Sequence, residues 1–326
     1  MDIITGDIGG TNARLALCRS DAGDIELITQ STYPSREFSS FEKIVKTFRD
    51  TLETEPDAAC FGLPCPITRG ICNTTNLPWK ISLKKLQNTL GGIETHLIND
   101  LEALAWSIGS LGVDDLLTLQ SGTGDGTGNA MVIAAGTGLG QAGLFWDGSI
   151  HLPFATEGGH CDFAPADEIQ MELLKFVQRK HRHVSWERLV SGPGLATLYD
   201  FMLEYRDVPV PDWFEDLKKE DDVAAIVTSK AIQEVDDLCT ETVGLFIRLL
   251  GAEAGNQALK MKSTGGVFIG GGIAPRMIEW LKMPFFLEAF LEKGRMRPLL
   301  EQMPVHVITT DNTALKGPAL YLESLQ

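Results

Sequence analysis

Apolar and polar positions along the chain follow two different periods, which predicts a mixed α/β protein. Over residues 39–52 the apolar side chains recur at i, i+3, i+4 and i+7, the spacing of a helix that buries one face. We predict further helices over 168–180 and 229–251, one that starts at Asn99-Asp100, and one from Asn312 onward. Short apolar runs bounded by turn residues are typical of buried strands. Such runs lie at 3–5, 13–17, 58–63, 96–98, 130–135, 141–146, 266–269 and 305–309.

Two segments of the chain share one design. In each, an apolar strand enters a glycine-rich turn that carries a threonine, and a second apolar strand leaves it; the turns lie at 6–12 and 136–140. An internal duplication with one copy in each half predicts two similar lobes. The glycine-rich stretch 121–128 has the composition of a flexible turn, so we place the first domain boundary at roughly 110–130.

Composition describes an ordinary globular protein of about two domains. The chain has 326 residues, of which 44% are hydrophobic and 22% charged. Its 28 Lys and Arg against 44 Asp and Glu give a net charge of −16. A surface this acidic repels phosphate backbones and anionic lipid headgroups, which argues against nucleic-acid and membrane partners.

The N-terminus and the cysteines bear on the compartment. The chain enters a strand pattern at once and contains no apolar run of about 18 residues, so we expect neither a secretory signal nor a membrane span. The six cysteines, at 18, 60, 65, 72, 161 and 239, include no Cys-x-x-Cys pair. We interpret them as reduced thiols that mostly fill the core of a cytoplasmic protein.

The first glycine-rich turn has the chemistry of a phosphate loop. Gly6, Gly9 and Gly10 with Thr11 would let backbone N–H groups approach a phosphate, and Asp7 can hold Mg²⁺ directly or through water. The alternative is a plain hairpin turn. A second such loop in the other half of the chain favours nucleotide binding.

Other nucleotide signatures are missing or out of place. Walker A requires a Gly-Lys dipeptide and the protein-kinase loop requires His-Arg-Asp, and the chain has neither. A Gly-x-Gly-x-x-Gly spacing occurs at Gly138, Gly140 and Gly143. It opens a strand pattern instead of the helix that dinucleotide binding needs, so we reject that interpretation.

Polar residues at three further places are candidates for chemistry. Asp100, beside Asn99 at a strand–helix junction, suits a general base, although both residue types also cap helices. Glu157 and His160 are separated by two glycines, so both side chains can reach one small polar ligand. Glu187 precedes a Ser-Gly-Pro-Gly segment.

These last two places also have structural alternatives. A metal site of His160, Cys161 and Asp162 is disfavoured, because adjacent residues of an extended chain point in opposite directions. Around Glu187 the alternative is a capping box with Ser185 as the cap, but Arg188 stands where a capping box has Glu.

Taken together, these residues resemble the bacterial glucokinase family, ATP-dependent enzymes of the hexokinase and actin-like superfamily. Eight segments in register carry the resemblance: 6–14 (GDIGGTNAR), 75–79 (TNLPW), 98–100 (IND), 136–140 (GTGLG), 157–165 (EGGHCDFAP), 187–194 (ERLVSGPG), 265–273 (GGVFIGGGI) and 311–312 (DN). The Cys-x-Cys-Gly motif of the zinc-containing branch is missing, so the resemblance is to the branch without zinc.

The resemblance implies a role for each matching residue. The first phosphate loop would comprise Gly6, Asp7, Ile8, Gly9, Gly10 and Thr11, and the second Gly136, Thr137 and Gly138. Gly270, Gly271 and Gly272 would lie under the adenosine. The sugar-binding set would be Asn99, Asp100, Glu157, His160 and Glu187. Asp100 would be the base that accepts the proton of the sugar 6-hydroxyl.

The resemblance also implies the fold and the reaction. We expect a two-lobed actin-like (ribonuclease H-like) ATPase fold with a central cleft, its small lobe formed by 1–110 plus 301–326 and its large lobe by 111–300. The expected reaction is ATP- and Mg²⁺-dependent phosphorylation of glucose to glucose 6-phosphate, the first step of glycolysis, by a cytoplasmic homodimer.

Three alternatives differ from this interpretation. The substrate could be another hexose or a hexosamine. An actin-like ATPase that switches conformation would keep the phosphate loops but has no reason to hold Asn99, Glu157, His160 and Glu187. A sugar sensor without catalysis has no need for Asp100.

Overall fold

The structure, a computed structural model, describes residues 1–21, 23–74, 77–124, 126–217, 223–310 and 313–326. Thr75 and Asn76 of one predicted motif, the 311–312 motif and Asp125 of the glycine-rich stretch therefore lie outside the described residues.

Strands and helices are mixed along the chain, which confirms the predicted α/β class. The strands are β1 (Asp2–Ile8), β2 (Asn12–Asp21), β3 (Asp24–Pro34), β4 (Ala58–Leu63), β5 (Ile71–Asn73), β6 (Lys80–Ser82), β7 (Glu94–Asn99), β8 (Leu116–Gln120), β9 (Ala130–Ala135), β10 (Leu139–Trp146), β11 (His151–Thr156), β12 (Gly266–Gly270) and β13 (Val305–Ile308). The helices are α1 (Phe41–Arg49), α2 (Leu83–Thr89), α3 (Asp100–Ser107), α4 (Glu168–Gln178), α5 (Gly192–Tyr205), α6 (Asp212–Leu217), α7 (Val223–Ile232), α8 (Asp237–Met261), α9 (Ile278–Lys282), α10 (Pro284–Leu291), α11 (Arg297–Leu300) and α12 (Thr313–Glu323).

The first sheet has the strand order β3-β2-β1-β4-β7. β1 and β2 form an antiparallel hairpin, whereas β1, β4 and β7 run parallel. Alternate residues of β1 belong to different cores, because successive side chains of a strand point to opposite faces. Ile4 is buried with residues of α1 and α2, and Ile3 is buried with residues of α3 and α12. Helices therefore cover both faces of this sheet.

The second sheet has the order β11-β10-β9-β12-β13-β8. β9 and β10 form an antiparallel hairpin, and β9, β12 and β13 run parallel. The 25-residue helix α8 packs with α5, α7 and α10 in the large core beside it. Five strands of each sheet thus follow the same order, and β2, β1, β4 and β7 run in the same relative directions as β10, β9, β12 and β13. This repeated order agrees with the internal duplication predicted from the two glycine-rich segments.

The chain forms two compact units. The first contains 1–115, 151–155 and 310–326, and the second contains 116–150 and 156–309. The predicted division assigned all of 301–326 to the small lobe. Residues 301–309 fall in the second unit instead, because β13 pairs with β12 and β8 in the second sheet.

Two predicted elements differ from the structure in their bounds. The single helix predicted over 229–251 is two helices, α7 and α8, which are separated at Glu234, where φ is +55°. Asp236 then caps α8 by accepting a hydrogen bond from the N–H of Cys239. The first glycine turn is shorter than predicted, because Gly6, Asp7 and Ile8 continue β1. Among the described helices, we find none with the length and apolar character required to span a membrane.

The interpretation of all six cysteines as reduced thiols is wrong for one pair. Cys65 and Cys72 form a disulfide across the short loop before β5, with their Cα atoms 5.9 Å apart. Both are buried, whereas among the remaining thiols Cys161 is exposed. The separation of seven residues matches no familiar motif, so the sequence did not indicate the pairing.

Candidate active site

The first glycine turn joins β1 to β2 and is held by its own backbone and by Ser35. The N–H of Gly9 donates to the carbonyl of Asn12 at 2.8 Å. The Ser35 hydroxyl donates to the Gly9 carbonyl at 2.9 Å, and the Ser35 N–H donates to the Thr11 carbonyl at 2.8 Å. Thr11 itself is exposed. The turn is therefore fixed in place while its tip stays accessible, as phosphate binding requires.

Three residues of the predicted first loop have other contacts. A Cβ on Gly6 would lie 2.6 Å from the Leu15 side chain and 2.8 Å from that of Phe61, so this glycine serves strand packing. Ile8 is buried in the core beside α1. The Asp7 carboxylate pairs with Arg14, which donates from Nε at 3.2 Å and also from Nη2.

Asn99 and Asp100 lie where β7 ends and α3 begins. Asn99 is the N-cap: its Oδ1 accepts from the N–H of Leu101 at 2.9 Å and of Glu102 at 3.3 Å. The capping alternative is thus correct for Asn99, and it leaves the amide nitrogen as the group that can donate to a ligand. Asp100 begins the helix, and its Oδ1 accepts from the N–H of Leu101 at 2.8 Å.

The parallel strands of the first sheet bring Asp100 to the same edge as the first glycine turn. β1 and β7 both flank β4, and Gly62 near the end of β4 pairs with Asp7 on one side and Ile98 on the other. A Cβ on Gly62 would lie 3.4 Å from the Asp100 Cα and 3.5 Å from the Gly6 carbonyl oxygen. Gly62 was not among the predicted site residues, although a glycine inside a buried strand indicates a close approach of backbones.

The second glycine loop lies at the carboxyl edge of the second sheet. Its Gly136 N–H donates to the Gly138 carbonyl at 2.9 Å, and its Gly136 carbonyl accepts from the N–H of Gly192, the first residue of α5, at 2.8 Å. β12 runs parallel to β9 and delivers Gly271 to the same edge, with φ of +85° and no room for a Cβ against the Ala135 carbonyl. Gly270 is buried, whereas Gly272 and Thr137 are exposed. The structure therefore brings the two predicted nucleotide-binding segments of this unit together.

Glu157, His160 and Glu187 form one cluster in the second unit. His160 Nδ1 lies 3.8 Å from Glu187 Oε1, and His160 Nε2 lies 3.9 Å from Glu157 Oε2. The side chains of Glu157 and His160 are about 60% exposed, at 61% and 60%, so a ligand can reach them. These separations exceed hydrogen-bond length, and both carboxylates can accept hydrogen bonds from the hydroxyls of a ligand.

Glu187 also contacts the second glycine loop. Its Oε2 accepts from the N–H of Leu139 at 3.0 Å, and a Cβ on Gly138 would lie 2.5 Å from the same oxygen. The carboxylate of Glu187 therefore contacts the second glycine loop and not the start of its own short helix. Ser185 makes no side-chain capping bond to the short helix Trp186–Arg188, so the capping-box alternative fails.

One residue of the metal alternative, Asp162, has another partner. Asp162 pairs with His183, with Oδ1 and Nε2 2.9 Å apart. Across the described part of the chain, no group of three or more His, Cys, Asp and Glu side chains is arranged to hold a metal ion.

Two sheets of this strand order, each with a glycine-rich turn inside its antiparallel hairpin (β1–β2 and β9–β10), define an actin-like ATPase fold, and comparison with solved structures agrees. The crystal structure of a glucokinase from an Antarctic psychrotroph matches with a TM-score of 0.85 and 33% identity over 99% of both chains. A glucokinase from Streptomyces griseus, solved with glucose and AMPPNP, matches with a TM-score of 0.66 at 18% identity over 98% of both chains, which concerns the fold alone.

Sequence comparison identifies the family. The Glucokinase family model matches residues 4–325. The glucokinase of Nostoc punctiforme is 39% identical over 333 residues, which span 98% of each protein. The chain belongs to the glucokinase family, and it is a kinase that uses ATP to phosphorylate glucose. The resemblance stated from the eight motifs, with the fold and enzyme class that it implied, is confirmed.

Proposed function

We propose that this chain transfers the γ-phosphoryl group of ATP to the 6-hydroxyl of glucose, with Asp100 as the general base. The observation that carries the proposal is the double contact of Glu187, with Leu139 of the second glycine loop and with His160. One carboxylate thereby joins the segment expected to hold polyphosphate to the cluster expected to hold sugar. An ATPase switch has no use for such a connection.

The sugar-binding set has the hydrogen-bonding groups that a hexose needs. Glu157 and Glu187 accept from sugar hydroxyls, the Asn99 amide nitrogen donates to them, and His160 can do either. Two carboxylates on either side of one imidazole suit a neutral ligand with several donors. A site built in this way lowers kcat/KM for a sugar that lacks one of the recognised hydroxyls by as much as ~10⁴–10⁵-fold.

The backbone N–H groups of the two glycine loops would bind the phosphates of ATP. Asp7 fits a Mg²⁺ ion bound through water, because Arg14 already occupies Oδ2 and Mg²⁺ usually keeps several of its waters. When bound, the ion would neutralise charge on the β- and γ-phosphates. Gly271 and Gly272 would lie under the adenosine, where Gly272 has no described atom within 4 Å of an added Cβ.

In the reaction, the Asp100 carboxylate accepts the proton of the 6-hydroxyl as the sugar oxygen forms a bond to the γ-phosphorus. The bond from that phosphorus to the bridging oxygen breaks, and ADP leaves with the electron pair. A base of this kind accelerates the reaction roughly 10²–10⁴-fold. Asp100 suits the role because its backbone is fixed as the first residue of α3.

The test is ATP-dependent formation of hexose 6-phosphate with glucose, mannose, fructose and N-acetylglucosamine. We expect glucose to give the highest kcat/KM, and Asp100→Asn to lower kcat at least ~10²-fold while calorimetry still detects glucose binding. Asp114→Asn, which alters an exposed carboxylate, is the matched control. ATP hydrolysis without transfer to any hexose would refute the proposal. Strong turnover in Asp100→Asn would refute the assignment of the base alone.

We further propose that the enzyme acts in the cytoplasm as a homodimer, as in the family that it resembles. Light scattering after gel filtration measures the mass directly. A single peak near the chain mass of 35.6 kDa would contradict the dimer.

A further inference from the structure

Glu253 is a carboxylate in the interior of α8 that the proposed reaction does not use. It is fully buried, with 0% of its surface exposed. Gln141 Nε2 donates to its Oε1 at 2.9 Å, and Asn256 Nδ2 donates to its Oε2 at 3.0 Å. Burial raises the pKa of Glu253, and the two hydrogen bonds oppose that rise. Burial of an ionisable group costs free energy, and the hydrogen bonds to both carboxylate oxygens offset part of that cost.

Gln141 connects α8 with the turn that carries Glu157 and His160. It lies on β10 and is itself 3% exposed. Its carbonyl accepts from the Thr156 hydroxyl at 2.9 Å, and the Thr156 oxygen accepts from the Gly158 N–H at 3.3 Å. A Cβ on Gly158 would overlap the Gln141 side-chain oxygen. The Gln141 amide therefore packs directly against the turn that carries Glu157 and His160.

The turn from Glu157 to His160 is held by its own backbone and by β10, in addition to its contact with Gln141. The His160 N–H donates to the Glu157 carbonyl at 3.0 Å, which closes the short helix Gly158–His160. A Cβ on Gly159 would overlap the Leu139 carbonyl oxygen, so the turn lies directly on β10. The orientation of the Gln141 amide thus bears on the position of both sugar-binding side chains.

We infer that Glu253 is a positioning residue for glucose, which acts through Gln141 to set the turn of Glu157 and His160. As a carboxylate it only accepts, so it fixes the Gln141 amide with its nitrogen toward α8 and its oxygen toward Gly158. A group that both donates and accepts would allow the amide to rotate by 180°. The inference rests on the proposed function, because it assigns glucose to this cluster.

The experiment compares Glu253→Met with a matched control on the same helix. Gln257→Met replaces a side chain one turn further along α8 that is equally buried, at 1% exposed, and whose amide has no hydrogen-bond partner among the described residues. For each variant of the full chain we would measure kcat, KM for glucose and for ATP, the Kd of glucose without nucleotide by calorimetry, and Tm.

Glu253→Met is expected to raise KM and Kd for glucose about tenfold, the effect of one lost buried hydrogen bond, with KM for ATP within about twofold of wild type. Gln257→Met is expected to leave both sugar constants within about twofold, whatever it does to Tm. Glu253→Gln is expected to give a smaller rise of about threefold, since its amide still accepts one bond.

An unchanged glucose KM in Glu253→Met would overturn the inference, as would an equal rise in both KM values, which indicates a general loss of structure. If Glu253→Met does not fold, Glu253→Gln decides in the same way. A wild-type chain that does not phosphorylate glucose would instead refute the proposed function, before any variant is compared.

Discussion

Glu187 accepts a hydrogen bond from the backbone N–H of Leu139 at 3.0 Å, and its other carboxylate oxygen lies 3.8 Å from the His160 ring. Leu139 belongs to the second glycine loop and directly follows Gly138 in the chain. A displacement of that loop therefore moves the Glu187 carboxylate relative to the His160 ring. This connection lies within one unit of the chain and can be tested with single substitutions.

Gly138→Ala is expected to weaken glucose binding, although residue 138 belongs to the predicted phosphate loop. Its Cβ would lie 2.5 Å from Glu187 Oε2, so the carboxylate must move and lose its bond to Leu139. We expect KM for glucose to rise about tenfold or more, which corresponds to roughly 1.4 kcal/mol of lost interaction. Steady-state kinetics with each substrate varied in turn measures the effect.

Two other glycine variants serve for comparison. Gly136→Ala lies in the same loop, but nothing lies within 4 Å of its Cβ, so it should alter KM for ATP and not KM for glucose. Gly109→Ala likewise has open space around its Cβ and lies outside the site, so it should behave as wild type. A Gly138→Ala enzyme with an unchanged glucose KM would show that Glu187 does not couple the two segments.

The strands that the sequence predicted best are the fully buried ones. The apolar runs 58–63 and 130–135 match β4 and β9 at both ends, because parallel strands covered on two faces are continuously apolar. β3 was missed, since most of its residues are exposed at the edge of the sheet and its hydrophobic signal is weak. The division between α7 and α8 was missed because apolar residues continue through both helices, and only Asp236 marks the second start.

The candidate site was predictable where a motif places chemistry in a turn, and not where residues from distant segments meet. The spacing of Glu157 and His160 indicated a shared ligand. Nothing in the sequence near Gln141 or Glu253 indicates that these residues meet, 112 positions apart, because the pairing of β10 with the core of α8 is a tertiary contact. For Gly6 the motif predicted a phosphate contact, whereas the structure shows a glycine that strand packing against Leu15 and Phe61 requires.

Cys161 is expected to be the fastest thiol to react with an aromatic disulfide reagent. It is exposed, whereas Cys18, Cys60 and Cys239 are buried and burial raises the pKa of all three thiols. Since the thiolate is the reactive form, these three should react slowly. The absorbance of the released aromatic thiol gives the time course of the reaction. Cys161→Ser should remove the fast phase of that time course.

Glucose should slow the fast phase, because Cys161 follows His160 in the chain. Activity should fall in step with modification in wild type and persist in Cys161→Ser. A fast phase that survives in Cys161→Ser would show that another thiol is the reactive one. A modification rate that does not change when glucose is added would show that sugar binding does not affect Cys161.

Stability should depend on pH through Glu253. Burial raises its folded-state pKa above the ordinary value of 4.5, so the folded protein holds the proton more tightly than the unfolded chain does. The stability that this gives is fully present below pH 4.5 and is lost as the pH rises through the folded-state pKa. Glu253→Gln removes the dependence, so its Tm relative to wild type should rise between pH 4.5 and the folded-state pKa.

Thermal unfolding of both proteins from pH 4 to pH 8 measures this difference. Glu288→Gln, which removes an exposed carboxylate from α10, is the matched control. A Tm difference for Glu253→Gln that is constant over the range would mean that Glu253 titrates alike in the folded and unfolded chain.

Gly317→Ala is expected to destabilise the fold and to lower kcat through α3. Gly317 lies in α12 where it packs on α3, and an added Cβ would overlap the Ala103 carbonyl oxygen. Relief requires the helices to separate, at a cost of about 1–3 kcal/mol for overpacking of this kind. Because α3 starts with Asp100, a shift of this helix also moves the proposed base. Chemical denaturation should show the lost stability, and kcat should fall by more than KM for glucose changes.

Gly109→Ala, just beyond the end of α3 and with open space around its Cβ, should change neither quantity. Loss of stability with an unchanged kcat would mean that Asp100 keeps its position independently of the α3–α12 contact.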